Sequence, residues 1–154
     1  MLGHDDLERT EITHFVRGTL GCGCPDAVFD SIAVEPVVPA ADVPPALQLL
    51  IGARLLIQLV ALPHDPMSTG WIERLAAAGR TARDRHGYNR FRLVVVASKG
   101  QALPADLDER FVRLVGTDER MHLHVVARDQ LPEALSLPLA AMSSASGTAR
   151  TEAK

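Results

Sequence analysis

Cys22 and Cys24 are the only cysteines in a chain of 154 residues, and they stand one residue apart in the stretch TLGCGCPDAVF, residues 19 to 29. A thiolate is both a nucleophile and a soft-metal ligand, so a close pair suits disulfide chemistry or metal capture. A disulfide between residues two apart closes a small strained ring, which is labile rather than structural. Gly21 and Gly23 leave the backbone free and the sulfurs accessible. Pro25 suits a first helical turn and Asp26 complements a positive helix end, so Cys24 is expected to cap a short helix whose dipole lowers its pKa. Cys24 is thus the expected nucleophile, and Cys22 its resolving partner or co-ligand in the Cys22-Gly23-Cys24-Pro25 turn.

His122 and His124 are the natural partners for a metal. In MHLHVV they alternate along an expected strand, so both imidazoles project from one face. Two thiolates and two imidazoles, Cys22, Cys24, His122 and His124, form a donor set suited to tetrahedral zinc. The plainer alternative is that both cysteines are small residues shaping a turn and both histidines lie on a partly covered strand face.

Two further clusters carry charge. RTARDRHGYNRFR packs Arg80, Arg83, Arg85, Arg90 and Arg92 into a short span with His86 and Tyr88. Such a run can contact phosphate, other anions or nucleic acid, with Tyr88 as a stacking surface. Asp84 interrupts it, and with aromatics at 4% of the chain the nucleic-acid reading is not favoured. Cations at a helix C-terminus are also favoured by the dipole alone. The second cluster follows from topology. Ligands of open α/β sheets usually sit beyond the carboxyl ends of parallel strands. There His64, Asp65, Ser98, Lys99, Arg128 and Asp129 would form a rim, with Asp65 also serving as a helix cap.

The elements that must position these groups follow from hydrophobic periodicity. A first helix begins near Asp5 or Asp6, carries Leu7, Ile12, Phe15, Val16 and Leu20, and stops at Gly21. SIAVEPV alternates as a strand, and Pro36 places it at an edge, where it offers a pairing surface for a homo-oligomer. The most apolar stretch, ALQLLIGARLLIQLVALP, reads as a pair of strands at 46–51 and 54–62 turning at Gly52-Ala53; Gly52, Arg54 and Gln58 argue against a membrane span. Asp65-Pro66 is expected to open the longest helix, with Ile72, Leu75, Ala76, Gly79 and Ala82 on its inner face and Gly87 as its stop. FRLVVVAS is a central strand. Pro104 starts a helix that buries Leu107, Phe111, Leu114 and Val115 and ends at Gly116. RMHLHVVA is a last strand and DQLPEALSL a brief final helix.

The predicted architecture is one α/β domain over 1–141, a mixed sheet of about four or five strands with a parallel βαβαβ second half and helices packed against it. Residues 142–154 have the composition of a disordered tail. The hairpin LQLLIGARLLIQLV resembles the central hairpin of the restriction-endonuclease-like fold. That family implies an acidic residue on one strand and an Asp/Glu-x-Lys on the next to hold Mg²⁺. Here the second strand reads Ile57-Gln58-Leu59-Val60, so nuclease chemistry is not expected.

Composition narrows the class further. Hydrophobic residues make up 47% and charged residues 23%, and the net charge is -3, so no global attraction to nucleic acid or anionic membrane arises. The start MLGHDDLERTEI is too polar for a secretory signal, and no apolar run reaches ~20 residues, so a cytoplasmic location without membrane insertion is expected. A close cysteine pair in a reducing compartment points to redox or metal chemistry rather than a structural staple. No P-loop, G-x-S-x-G elbow or H-E-x-x-H helix is present. The expected function is therefore that of an accessory or binding protein acting through thiols; enzymatic turnover, if any, would be of the thiol–disulfide oxidoreductase kind.

Overall fold

The computed structural model describes residues 4–41 and 43–152, with side chains described for 7–41 and 43–142. Five strands form one sheet in the order β1-β2-β3-β4-β5: β1 (Ile32–Val37), β2 (Ala46–Ile51), β3 (Leu55–Ala61), β4 (Arg90–Ala97) and β5 (Met121–Ala127). β1, β2 and β3 are antiparallel neighbours, and β3, β4 and β5 run parallel. Long crossovers carrying α2 (Trp71–His86) and α3 (Leu107–Val115) connect the parallel strands, as parallel pairing requires. The single α/β domain, the hairpin and the parallel second half match the expectation from sequence.

Alternation along the strands divides the core in two. Leu56, Val60, Phe91, Leu93, Val95 and Met121 face α2 and α3. Leu47, Leu49, Ile51, Leu55, Ile57, Leu59, Val94, Val96 and Val126 face the opposite layer. That layer contains α1 (His4–His14), the π turn Phe15–Thr19, the 3₁₀ turn Asp26–Asp30 and α4 (Glu133–Glu152). β3 reads as a nearly unbroken apolar run because both of its faces are covered. Gln58 is the exception. The register sets Glu35 opposite Gln48 and Gln48 opposite Gln58. Gln58 Nε2 donates to Gln48 Oε1 (2.9 Å) and Gln48 Nε2 donates to Glu35 Oε1 (3.0 Å), a polar ladder across three strands.

The β2–β3 turn has Gly52 at φ 60° and Ala53 at φ 55°, both left-handed, and Arg54 N–H donates to Ile51 O (3.1 Å). Ile51 pairs with Leu55, so Arg54 belongs to the turn and β3 starts one residue later than expected. Gly52 also packs so closely on Val28 that a Cβ there would overlap the Val28 carbonyl. Its N–H donates to Ser31 O (2.8 Å), tying the hairpin tip to the segment that follows the cysteines.

Two helix starts differ from expectation. α2 begins at Trp71, not at Asp65-Pro66, because Gly70 at φ 89° breaks the chain direction first. Asp65 is therefore no helix cap: its carbonyl accepts from Ser68 N–H (3.1 Å) in a turn, and Trp71 Nε1 donates to Pro66 O (3.0 Å). α3 likewise starts at Leu107, three residues after Pro104, whose carbonyl accepts from Leu107 N–H (3.3 Å). α4 is longer than the brief helix expected. Its backbone runs to Glu152, through most of the stretch read as a tail, while the side chains of 143–154 and the whole of 153–154 lie outside the described residues. No helix among the described residues is long and apolar enough to cross a membrane.

Candidate functional site

The cysteine segment leaves the π turn through Leu20, whose N–H donates to Phe15 O (3.2 Å), and reverses at Gly21 with φ 72°. Cys22 N–H then donates to Val16 O (3.1 Å), which seats the Cys22 side chain in the core at 7% exposure, whereas Cys24 is only half-buried. The two sulfurs are joined as a disulfide, with Cα atoms 5.4 Å apart. Arg17 braces the turn. It donates to Cys24 O (2.8 Å), pairs with Asp26 (2.6 Å) and lies 5.1 Å from the centre of the Phe29 ring. These supports use backbone and Arg17, not sulfur, so they do not depend on the S–S bond.

Cys24 is not a helix cap. Pro25 is extended (φ -69°, ψ 159°) and occupies the N-cap position of a 3₁₀ turn of five residues that starts at Asp26. One such turn has too few aligned peptides for the expected macrodipole. The cations that share a cavity with the pair are side chains instead.

Those side chains line the facing wall. The β4–β5 register sets Arg92 opposite His122 and Val94 opposite His124, and the two-residue alternation turns Arg90, Arg92, His122 and His124 toward the cysteine side of the sheet. Arg54, from the hairpin tip, completes the wall of a cavity of about 490 Å³ that also includes Cys22, Cys24, Asn89 and His122. Its lining has three arginines and no carboxylate. Among the described residues, none of Arg54, Arg90 and Arg92 takes part in an ion pair. Arg92 Nε is buried without a hydrogen-bond partner, and burial, then repulsion from Arg90, lowers the Arg92 pKa.

The histidines act as hydrogen-bond acceptors. Arg90 Nη1 lies 3.1 Å from His122 Nε2, and Arg92 Nη1 lies 2.8 Å from His124 Nε2 and 3.1 Å from Leu20 O. A guanidinium can only donate, so each Nε2 accepts and each ring proton sits on Nδ1. Burial first, then Arg92, depresses both imidazole pKa values; His122 is further lowered by Arg90, and His124 falls to about 4. Both rings are therefore neutral near pH 7.

The zinc set expected from sequence is not assembled. Both sulfurs are bonded to each other, both Nε2 atoms face arginine, and among the described residues no group of three or more His, Cys, Asp or Glu is placed to hold a metal. His122 does reach the cysteine cavity; His124 lies deeper, against Arg92.

The five arginines of the basic stretch are divided among three places. Arg80 donates to Leu114 O (3.2 Å) and Val115 O (3.0 Å), closing the carboxyl end of α3. Arg83 is buried and grips Asp118 with both nitrogens, Nη1 at 3.0 Å from Oδ1 and Nη2 at 2.9 Å from Oδ2. Arg85 and His86 border a separate cavity beneath β1. Only Arg90 and Arg92 reach the cysteines. The strand-end rim is assembled in part: Ser98, Lys99, Arg128 and Asp129 share an apolar-walled groove of about 1030 Å³, with Arg128 Nε 3.4 Å from Ser98 Oγ. His64 and Asp65 do not line that groove.

Arg54 and Asn89 were missed as site residues from sequence, Arg54 because it reads there as the first residue of a strand. The signal was topological: both immediately precede the first residues of parallel strands, so they must emerge at one end of the sheet. Arg54 O accepts from Asn89 N–H (2.8 Å) and Arg90 N–H (3.0 Å), which locks that end together.

No family model matches this sequence, and neither a curated protein nor a solved structure shows a significant match to it.

Proposed function

We propose that the protein is a thiol–disulfide redox module whose working group is the Cys22–Cys24 pair. One observation carries this reading: a disulfide between residues two apart forms the wall of an open cavity whose facing wall is cationic and free of carboxylates. A disulfide that staples a fold joins distant segments, and its worth grows with the loop it closes. This one closes almost no loop and tethers nothing that Arg17 and the Val16 carbonyl do not already hold. Its chemistry is exchange. Cys24 is the half-exposed sulfur and takes the incoming thiol; Cys22, seated in the core, leaves and returns as the resolving sulfur.

In the reduced state, nearby guanidinium groups favour a Cys24 thiolate over the thiol. Alkylation of Cys22→Ser protein across pH gives the Cys24 pKa directly. The expected midpoint lies at least about one unit below the ~8.5 of an ordinary cysteine. A midpoint at or above that value, or a disulfide that dithiothreitol leaves intact in the folded protein, overturns the proposal.

A further inference from the structure

We infer that the thiol exchanging with Cys24 is a small molecule bearing carboxylate groups, held by Arg54, Arg90 and Arg92. The inference rests on the redox reading of Cys22–Cys24 and adds the chemical class of its partner. Three cations share one cavity with no acidic residue in its lining, in a chain whose net charge is -3. Uncompensated like charges repel and are costly to hold together, so their arrangement suits an anion that arrives from outside. Arg90 and Arg92 are further fixed by the neutral His122 and His124 rings, which orient each guanidinium without neutralising it. Arg92 Nε remains an unused, buried donor. Planar forked donors match carboxylates in a bidentate manner. A volume of about 490 Å³ falls in the range that encloses small ligands, and is too small for a folded partner's surface.

The chemistry balances within the site. The thiolate of the bound molecule attacks Cys24 Sγ, a new S–S bond forms to Cys24, and the Cys22–Cys24 bond breaks with Cys22 leaving as a thiolate. A second molecule of the same thiol attacks the small-molecule sulfur of the mixed disulfide and releases Cys24. Two small thiols are oxidised to their disulfide, and the protein disulfide is reduced to a dithiol by the same two electrons.

The test measures reduction of the oxidised full-length chain by three small thiols of different charge: 3-mercaptopropionate, 2-mercaptoethanol and 2-aminoethanethiol. Rates are expressed per thiolate and corrected for thiol basicity with a Brønsted slope of about 0.4–0.5. The anion is expected to react at least about tenfold faster than the neutral thiol, and the cation slowest, with the spread collapsing at high salt. Arg90→Gln with Arg92→Gln should erase the order. Arg54→Gln, at an exposed hairpin tip, should reduce it even if the double variant fails to fold. Equal rates for the three thiols overturn the inference while leaving the redox reading intact. A cysteine peptide with flanking acidic residues that outpaces 3-mercaptopropionate also overturns it, in favour of a protein partner. Resistance to every thiol removes the redox reading itself, and the inference with it.

Discussion

Replacing Asp118 with Asn should cost far more than its position in a surface turn suggests. Asp118 accepts from both terminal nitrogens of Arg83, whose side chain is only 5% exposed, and its own side chain is 19% exposed. It also accepts from Arg120 N–H (3.1 Å) and lies 3.6 Å from Arg80. An amide keeps the shape but leaves Arg83 short of a counter-charge. Breaking a buried pair costs about 3–5 kcal/mol because the remaining charge is unsolvated. Asp84 still holds Arg83 Nε at 3.1 Å, so the lower end, about 3 kcal/mol, applies. That is a large share of the ~5–15 kcal/mol total of a typical domain. The sign with pH follows from Asp118, whose pKa is held below its ordinary value chiefly by the Arg83 hydrogen bond. The folded chain gives up this proton more readily than the unfolded one. Its contribution is therefore present above the unfolded value of ~3.9 and is lost as pH falls through the folded value. Urea midpoints of wild type and Asp118→Asn should be well separated at pH 7 and converge in acid. Adding Arg83→Met to the Asn variant should recover stability, because the orphaned charge is gone. A loss below about 1 kcal/mol at pH 7, or a double variant worse than either single one, would refute the reasoning.

Gly79→Ala tests the packing of α2 on β4. Alanine gains about 1 kcal/mol of helix propensity, but its Cβ would overlap the fully buried Phe91 ring, so a net loss of about 1–3 kcal/mol is expected by urea denaturation. A stabilised variant would show that the ring can move. For His124, titration of the imidazole followed by NMR should give a midpoint of about 4, rising in Arg92→Met as the neighbouring charge is removed. Because this folded value lies below the unfolded ~6.5, the unfolded chain binds the proton first, and stability should fall as pH drops through that interval. A midpoint near 6.5 would contradict the arginine–histidine geometry.

The strands were legible because their signal is local. The hairpin turns at Gly52-Ala53 as its two residues suggest, and LVVV of β4 has the continuous apolar character of a strand covered on both faces. Helix starts were less so: Asp65-Pro66 has the right residues for a cap, but the positive φ at Gly70 overrides them five residues later. The cysteine pair was visible as chemistry, yet its surroundings were not. Arg90 and Arg92 belong with Cys24 because the parallel register puts alternate residues of β4 on the cysteine side, while Arg80 and Arg83, a few residues earlier, sit on a helix facing the other way. A run of like charges in one dimension carries no record of that division. The helix end expected to cap at Cys24 is a five-residue 3₁₀ turn with Pro25 at its N-cap, and the cations that share a cavity with the pair come instead from three arginines distant in sequence.

The cysteine cavity gathers at the amino ends of β3, β4 and β5, while the apolar groove containing Ser98 and Arg128 opens at their carboxyl ends. The sheet thus keeps its two poles apart, with a strand's length of packed hydrocarbon as insulation. The connections at 98–106 and 128–132 can be lengthened or exchanged without touching the Cys22–Cys24 cavity at the far pole. The architecture leaves room to graft a new recognition loop at one end while the cysteine end keeps its geometry.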